Sequence, residues 1–219
     1  MLDKLLKYSN NNSLYINKII PNAKPCIGLY TNEIKAIAKE MVKEEKYSFF
    51  QEKHEVFEED MIHGFMIGYI KDWDYAFEEF KKYINLIDNW AMCDQIISNF
   101  KLIKKHKNEV NHLIYELSLS NEEYKQRVLF VILLFYFVEE DNMDYIFHMI
   151  KNVKINGYYS KMAVSWLLCE CVIKQREYSL LHFNELDIDP WIINKAISKM
   201  NDSFRITKED KEMLKKYRK

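Results

Sequence analysis

The apolar stretch VLFVILLFYFV, residues 128 to 138, lies inside a segment from 123 to 138 that holds neither glycine nor proline, and a second such segment runs from 160 to 174. Only four Gly and three Pro occur among all 219 residues. Hairpins and sheets need turn residues far more often than helices do, so the scarcity predicts an almost entirely helical protein. The eleven residues from 128 to 138 are too few to span a bilayer and fit a buried helix.

The apolar periodicity predicts helices in sequential pairs. Short helices are expected at 2–8 and 13–20, followed by the irregular link PNAKPCIGLY. A helix TNEIKAIAKEMVKE follows, with Thr31 as its N-cap and Ile34, Ile37, Ala38 and Met41 as its core stripe. Gly64 and Gly68 stand four apart in the apolar helix expected at 57–70, where they would let another helix approach closely; the segment 73–86 closes that hairpin. Pairs then follow at 88–103 with 108–118, 121–138 with 142–153, 158–174 with 177–184, and 190–201 with 207–218. Ser120 with Glu123 and Thr207 with Asp210 read as capping boxes. Equivalent points recur: Arg127 follows Trp90 by 37 residues, and Trp166 follows Arg127 by 39. Two helices per unit at a period near 40 predict an all-α fold, an α-solenoid of HEAT-like helical repeats with a concave binding face, running as one domain over 1–219.

The stretch DNWAMCD, residues 88 to 94, carries the clearest chemical signal. Trp90 and Asp94 stand four apart, so an indole face and a carboxylate project side by side from one helix. That pairing suits a flat, cationic substrate, because the ring face attracts cations and the carboxylate stabilises developing positive charge. Trp90, Asp94, Arg127 and Trp166 fall on equivalent helices of three consecutive repeats. Either they converge on the concave face, or Arg127 pairs with Asp94 between repeats and both tryptophans are packing. Arg127 comes just before the most apolar helix, near an N-terminus whose dipole disfavours a cation, so another group is expected to hold it.

The blocks IGLYTNEIKAIAKE at 27–40, IDNWAMCD at 87–94, QRVLFVILLFYF at 126–137, GYYSKMAVSWLLCE at 157–170 and KAISKMNDSFRITKEDKEMLKKYRK at 195–219 resemble, in order and spacing, the DNA alkylation repair proteins, the AlkD-type HEAT-like repeat DNA glycosylases. The resemblance implies excision of N3- or N7-alkylated purines from double-stranded DNA by hydrolysis of the N-glycosidic bond, without swinging the base into a pocket and without a cofactor. Asp94 matches the family's catalytic aspartate, Trp90 and Trp166 the two aromatic positions against the damaged nucleotide, and Arg127 a basic position on the phosphate backbone. Tyr15 would supply an aromatic from the N-terminal region, and Lys195, Lys199, Arg205, Lys208 and the run KLIKKHK at 101–107 would add phosphate contacts. The chain departs from the pattern at Phe135 and Cys169, where active relatives tend to carry basic residues. Some branches of the family keep the fold without the activity, and the alternative is a catalytically inactive scaffold that binds DNA structures or a protein partner.

Composition narrows the remaining classes. With 32 basic and 33 acidic residues the net charge is −1, so DNA affinity has to come from local patches. The six histidines show no ligand spacing, and Cys26, Cys93, Cys169 and Cys171 form no metal signature; no metal is expected, and the thiols read as buried or half-buried in a reducing compartment. The N-terminus MLDKLLKYSNNN lacks the apolar core of a signal peptide, which predicts a cytoplasmic protein, expected as a monomer.

Overall fold

The computed structural model describes residues 12–20, 23–183 and 185–219, without the side chains of residues 12, 14, 15 and 17. Its α-helices are α1 Asn12–Ile19, α2 Thr31–Lys43, α3 Phe57–Tyr69, α4 Trp73–Ile84, α5 Trp90–Asn99, α6 Lys107–Ser118, α7 Glu123–Tyr136, α8 Met143–Asn152, α9 Tyr158–Lys174, α10 Arg176–Phe183, α11 Pro190–Asp202 and α12 Lys208–Leu214, and there is no strand among the described residues. The helix expected at 2–8 lies outside the described residues. Two compact units result, Met1–His106 and Lys107–Lys219.

In the first unit α3 packs against α2, α4 and α5. Neighbours on several sides explain why α3 reads as apolar almost all round, with Glu58 through Ile67 all buried. The expected stripe of α2 is buried at Ile34, Ala38 and Met41, whereas Ile37 sits at its margin. Its N-cap is Tyr30, not Thr31: Glu33, in the first turn, accepts the Tyr30 backbone N–H at 2.7 Å, which shifts the start by one residue. Three buried acids open α3. The Glu58 carboxylate accepts the N–H groups of Ile27 (3.0 Å) and Gly28 (2.7 Å), and Asp60 takes Lys24 Nζ (2.9 Å) and His54 Nδ1 (3.0 Å). These bonds pin the 23–30 link to the helix.

His63, one turn further along, is 3% exposed, stacks on Phe50 at 4.5 Å between ring centroids, and has no hydrogen-bond partner for either ring nitrogen. Burial first, and the neighbouring His54 second, push its pKa down from 6.5 to about 3. The unfolded chain therefore takes up a proton near pH 6.5 that the folded chain refuses until about pH 3, so stability is lost as pH falls through that window. Urea titrations at pH 7 and pH 5 should differ by about 2 kcal/mol from this group, and His63→Phe should remove that part of the difference.

In the second unit α9 packs between α7 and α11, so the first helices of successive pairs lie side by side while α8, α10 and α12 follow them in sequence. This layering is that of an α-solenoid. Almost every residue from Gln126 to Leu134 is buried in α7, and Ala163 to Val172 is nearly as enclosed in α9. Thr207 caps α12 as expected, accepting the Asp210 N–H at 3.1 Å. Ser120 and Glu123 form no capping box. Ser120 Oγ accepts from the Glu122 N–H, and the Glu123 carboxylate instead reaches the N–H of Tyr159 in the first turn of α9. That crossing is possible because Gly157, the N-cap of α9, has φ +80°, a left-handed backbone with no side chain of its own to cap the helix; a Cβ there would collide with Glu123.

Gln126, fully buried, completes the join. Its amide donates to the carbonyls of Ser120 (2.9 Å) and Lys154 (2.8 Å), and its oxygen accepts the Asn156 N–H at 2.8 Å. Gln126→Met would fill the space and orphan all three groups, so a loss of about 3 kcal/mol is expected by urea unfolding.

Candidate functional site

Trp90 and Asp94 belong to the first unit. Asn89 caps α5 through the Met92 N–H at 3.0 Å, and Ala91, Met92, Cys93, Ile96 and Ile97 fix the helix in the core. Trp90 and Asp94 thereby stand one turn apart at the core boundary, both half-buried. The indole orientation is held by its Nε1–H, which donates to the Ile19 carbonyl at 3.2 Å. Gly64 and Gly68 set the depth of α5. A Cβ on Gly64 would lie 2.5 Å from Ile96 Cγ1 and 2.7 Å from the Tyr83 ring, and one on Gly68 would lie 3.1 Å from the Asn99 carbonyl oxygen. The close helix approach expected from this pair is therefore between α3 and α5. The backbone at Tyr15 lies in α1, but its side chain is outside the described set.

Arg127 and Trp166 belong to the second unit. Arg127 is not ahead of the apolar helix but within it, 6% exposed, and its guanidinium donates to the Tyr159 carbonyl at 2.6 Å. Glu123 and Arg127, one turn apart on α7, therefore hold the N–H and the C=O of the same residue. Sequence reasoning missed this use of Arg127, because its partner lies 32 residues away and is a backbone atom. Trp166 is half-buried on α9, and Phe135 meets its ring edge to face at 5.6 Å. Phe135 therefore braces the indole of Trp166.

Cys169 is buried, and burial pushes its thiol up to about 11, aided by Glu170 and opposed by Arg205 and Lys199. Positive charge thus reaches the neighbourhood of Cys169 from α11 and the turn that follows it. Lys199 is held below the usual lysine range, first by burial, then by repulsion from Lys195, with Arg127 adding to it. Arg205 is exposed and its guanidinium pairs with Glu170. Lys195 and Arg127 therefore lie near enough to Lys199 to act on its charge, and Lys199 and Arg205 both approach Cys169. The run at 101–107 behaves differently: it forms a 3₁₀ turn at Lys101–Lys105, His106 stacks on Trp73 at 4.0 Å, and Lys107 pairs with Glu139 at 2.5 Å.

The cysteines are all free thiols, with Cys26 half-buried and the other three buried. Among the described residues no three His, Cys, Asp or Glu side chains gather so as to hold a metal ion, and no helix is long and apolar enough to cross a membrane.

Helices paired in sequence, stacked through their first members in the second unit, with no strand among the described residues, place the chain among α-solenoid proteins. It belongs to the DNA alkylation repair enzyme family, whose family model matches residues 3–200, a span that runs through both units. Membership assigns it a role in alkylation repair, with DNA as its substrate. No curated protein matches the chain.

Proposed function

We propose that the protein is a monomeric alkylpurine DNA glycosylase, one HEAT-like repeat array over 1–219, that releases N3- or N7-alkylated purines from duplex DNA without metal or cofactor. The observation that carries this reading is the half-buried Trp90–Asp94 pair, a ring face and a carboxylate one helical turn apart in a family whose substrate is alkylated DNA. An N7- or N3-alkylpurine already bears positive charge. Its C1′–N9 bond can break with the electron pair passing to the base, which leaves neutral, so no strong general acid is needed. The sugar becomes oxocarbenium-like, the Asp94 carboxylate stabilises it, water adds to C1′, and its proton passes to the carboxylate or to solvent. Trp90 and Trp166 pack against the damaged nucleotide, Tyr15 supplies an aromatic from the N-terminal region, and Arg127, Lys195, Lys199 and Arg205 serve the phosphate backbone.

Release of free base from an alkylated duplex tests the reading. Binding supplies a second check. If Lys195 and Lys199 meet phosphates, each Gln substitution lowers the slope of log affinity against log salt by about 0.9, measured by anisotropy on a lesion-bearing duplex. An unchanged slope in both variants would remove them from the interface.

A second reading, a non-catalytic scaffold for DNA structures or a protein partner, is favoured by the burial of Arg127 and its bond to Tyr159, a structural use of the cation. It expects binding without base release.

A further inference from the structure

A cleft of about 970 Å³ opens in the first unit between the second half of α2 and the α3–α4 turn. It contains none of the α5 residues. Thr31, at the start of α2, contacts Gln95 of α5, whereas Lys43 at the cleft lies roughly 18 Å further along the helix. Its walls carry three phenol rings, Tyr47, Tyr69 and Tyr75, and three ammonium groups, Lys39, Lys43 and Lys71. Tyr47 is braced edge to face against Tyr75 at 5.4 Å and stacked on Phe50 at 6.1 Å, so its ring is set before any ligand arrives. Tyr75 remains 38% exposed. Two acids line the cleft, Glu40 and Asp72, and Asp72 is already engaged as the N-cap of α4, accepting the Tyr75 N–H at 2.8 Å. No ion pair among the described residues involves Lys39, Lys43 or Lys71.

We propose that this cleft binds a nucleotide unit, a base laid against the Tyr47–Tyr75 wall with its phosphate among Lys39, Lys43 and Lys71. Rigid rings accept any base by its flat face, and the surplus of cations accepts the anion without reading sequence. The volume matches the upper range of small-ligand sites, about 300–1,000 Å³, and admits either a free nucleotide or an unpaired nucleotide of a DNA strand. The site does not depend on the Trp90–Asp94 chemistry.

The test is calorimetric titration of the full chain with 2′-deoxyadenosine 5′-monophosphate and, separately, with a short single-stranded oligodeoxyadenylate. Tyr75→Ala, Lys43→Glu and the double variant Lys195→Glu/Lys199→Glu are run in parallel, each checked for wild-type circular dichroism. Saturable binding weakened roughly tenfold by Tyr75→Ala and by Lys43→Glu, but not by the double variant, supports the site. Mononucleotide binding as tight as strand binding marks a free-nucleotide site, and binding of the strand alone marks an unpaired segment as the occupant. No saturable binding of either probe, or losses that follow the double variant instead of Tyr75 and Lys43, would overturn it. Base release by Tyr75→Ala stays at the wild-type rate, which separates this site from the proposed glycosylase centre.

Discussion

Asp94→Asn is expected to leave the fold intact and to slow base release from alkylated duplex DNA by about 10²–10³-fold, the usual cost of removing one preorganised electrostatic stabiliser of a transition state. The amide keeps the size of the carboxylate on α5, removes its charge and turns one acceptor oxygen into a donor. The core contacts of that helix come from Ala91, Met92, Cys93, Ile96 and Ile97, none of which the substitution touches. In the proposed reaction the carboxylate acts on charge that appears as the glycosidic bond breaks, so in single-turnover kinetics the rate constant should fall while the affinity for the duplex changes little. Wild-type-like release by a folded Asp94→Asn protein would remove Asp94 from the chemistry.

Gly64→Ala is expected to be the most damaging small substitution in the first unit, with a loss of about 3 kcal/mol. The added methyl meets Ile96 Cγ1 at 2.5 Å and the Tyr83 ring at 2.7 Å. Tyr83 cannot retreat, because it is fully buried and its hydroxyl donates to the Asp60 carbonyl at 3.0 Å. Relief has to come from moving α5, and α5 carries Trp90 and Asp94. At an m-value of roughly 2 kcal/mol/M the urea midpoint should drop by about 1.5 M, and base release should fall with it at temperatures where the variant is still folded. A variant as stable as wild type would mean that α3 and α5 can separate at little cost.

Much of the fold was legible in the residues. Missing breakers in α7 and α9, the 3.6-residue stripe of α2 and the glycine pair of α3 each report a helix and the face it buries. Legibility ended where a side chain is committed to a backbone atom some 30 residues away. Glu123 suggested a local capping box with Ser120 and serves α9 instead; no local pattern marks Gln126 as the joint between two loops or Glu58 as the hold on the 23–30 link. Periodicity gives the direction in which such a residue points and is silent about what waits there. The candidate site was legible in its helices, since Trp90 and Asp94 share a face by spacing alone. The supply of charge around Cys169 was not, because Lys199 and Arg205 approach it from a different element.

The most direct test of the glycosylase reading is a single-turnover incubation of the wild-type protein with a duplex bearing one N7-methylguanine, scored for free base. Release of N7-methylguanine at a rate well above that of the duplex alone is the expected result. A folded protein that binds the same duplex and releases no base would contradict it, and would leave the family fold acting as a scaffold on DNA.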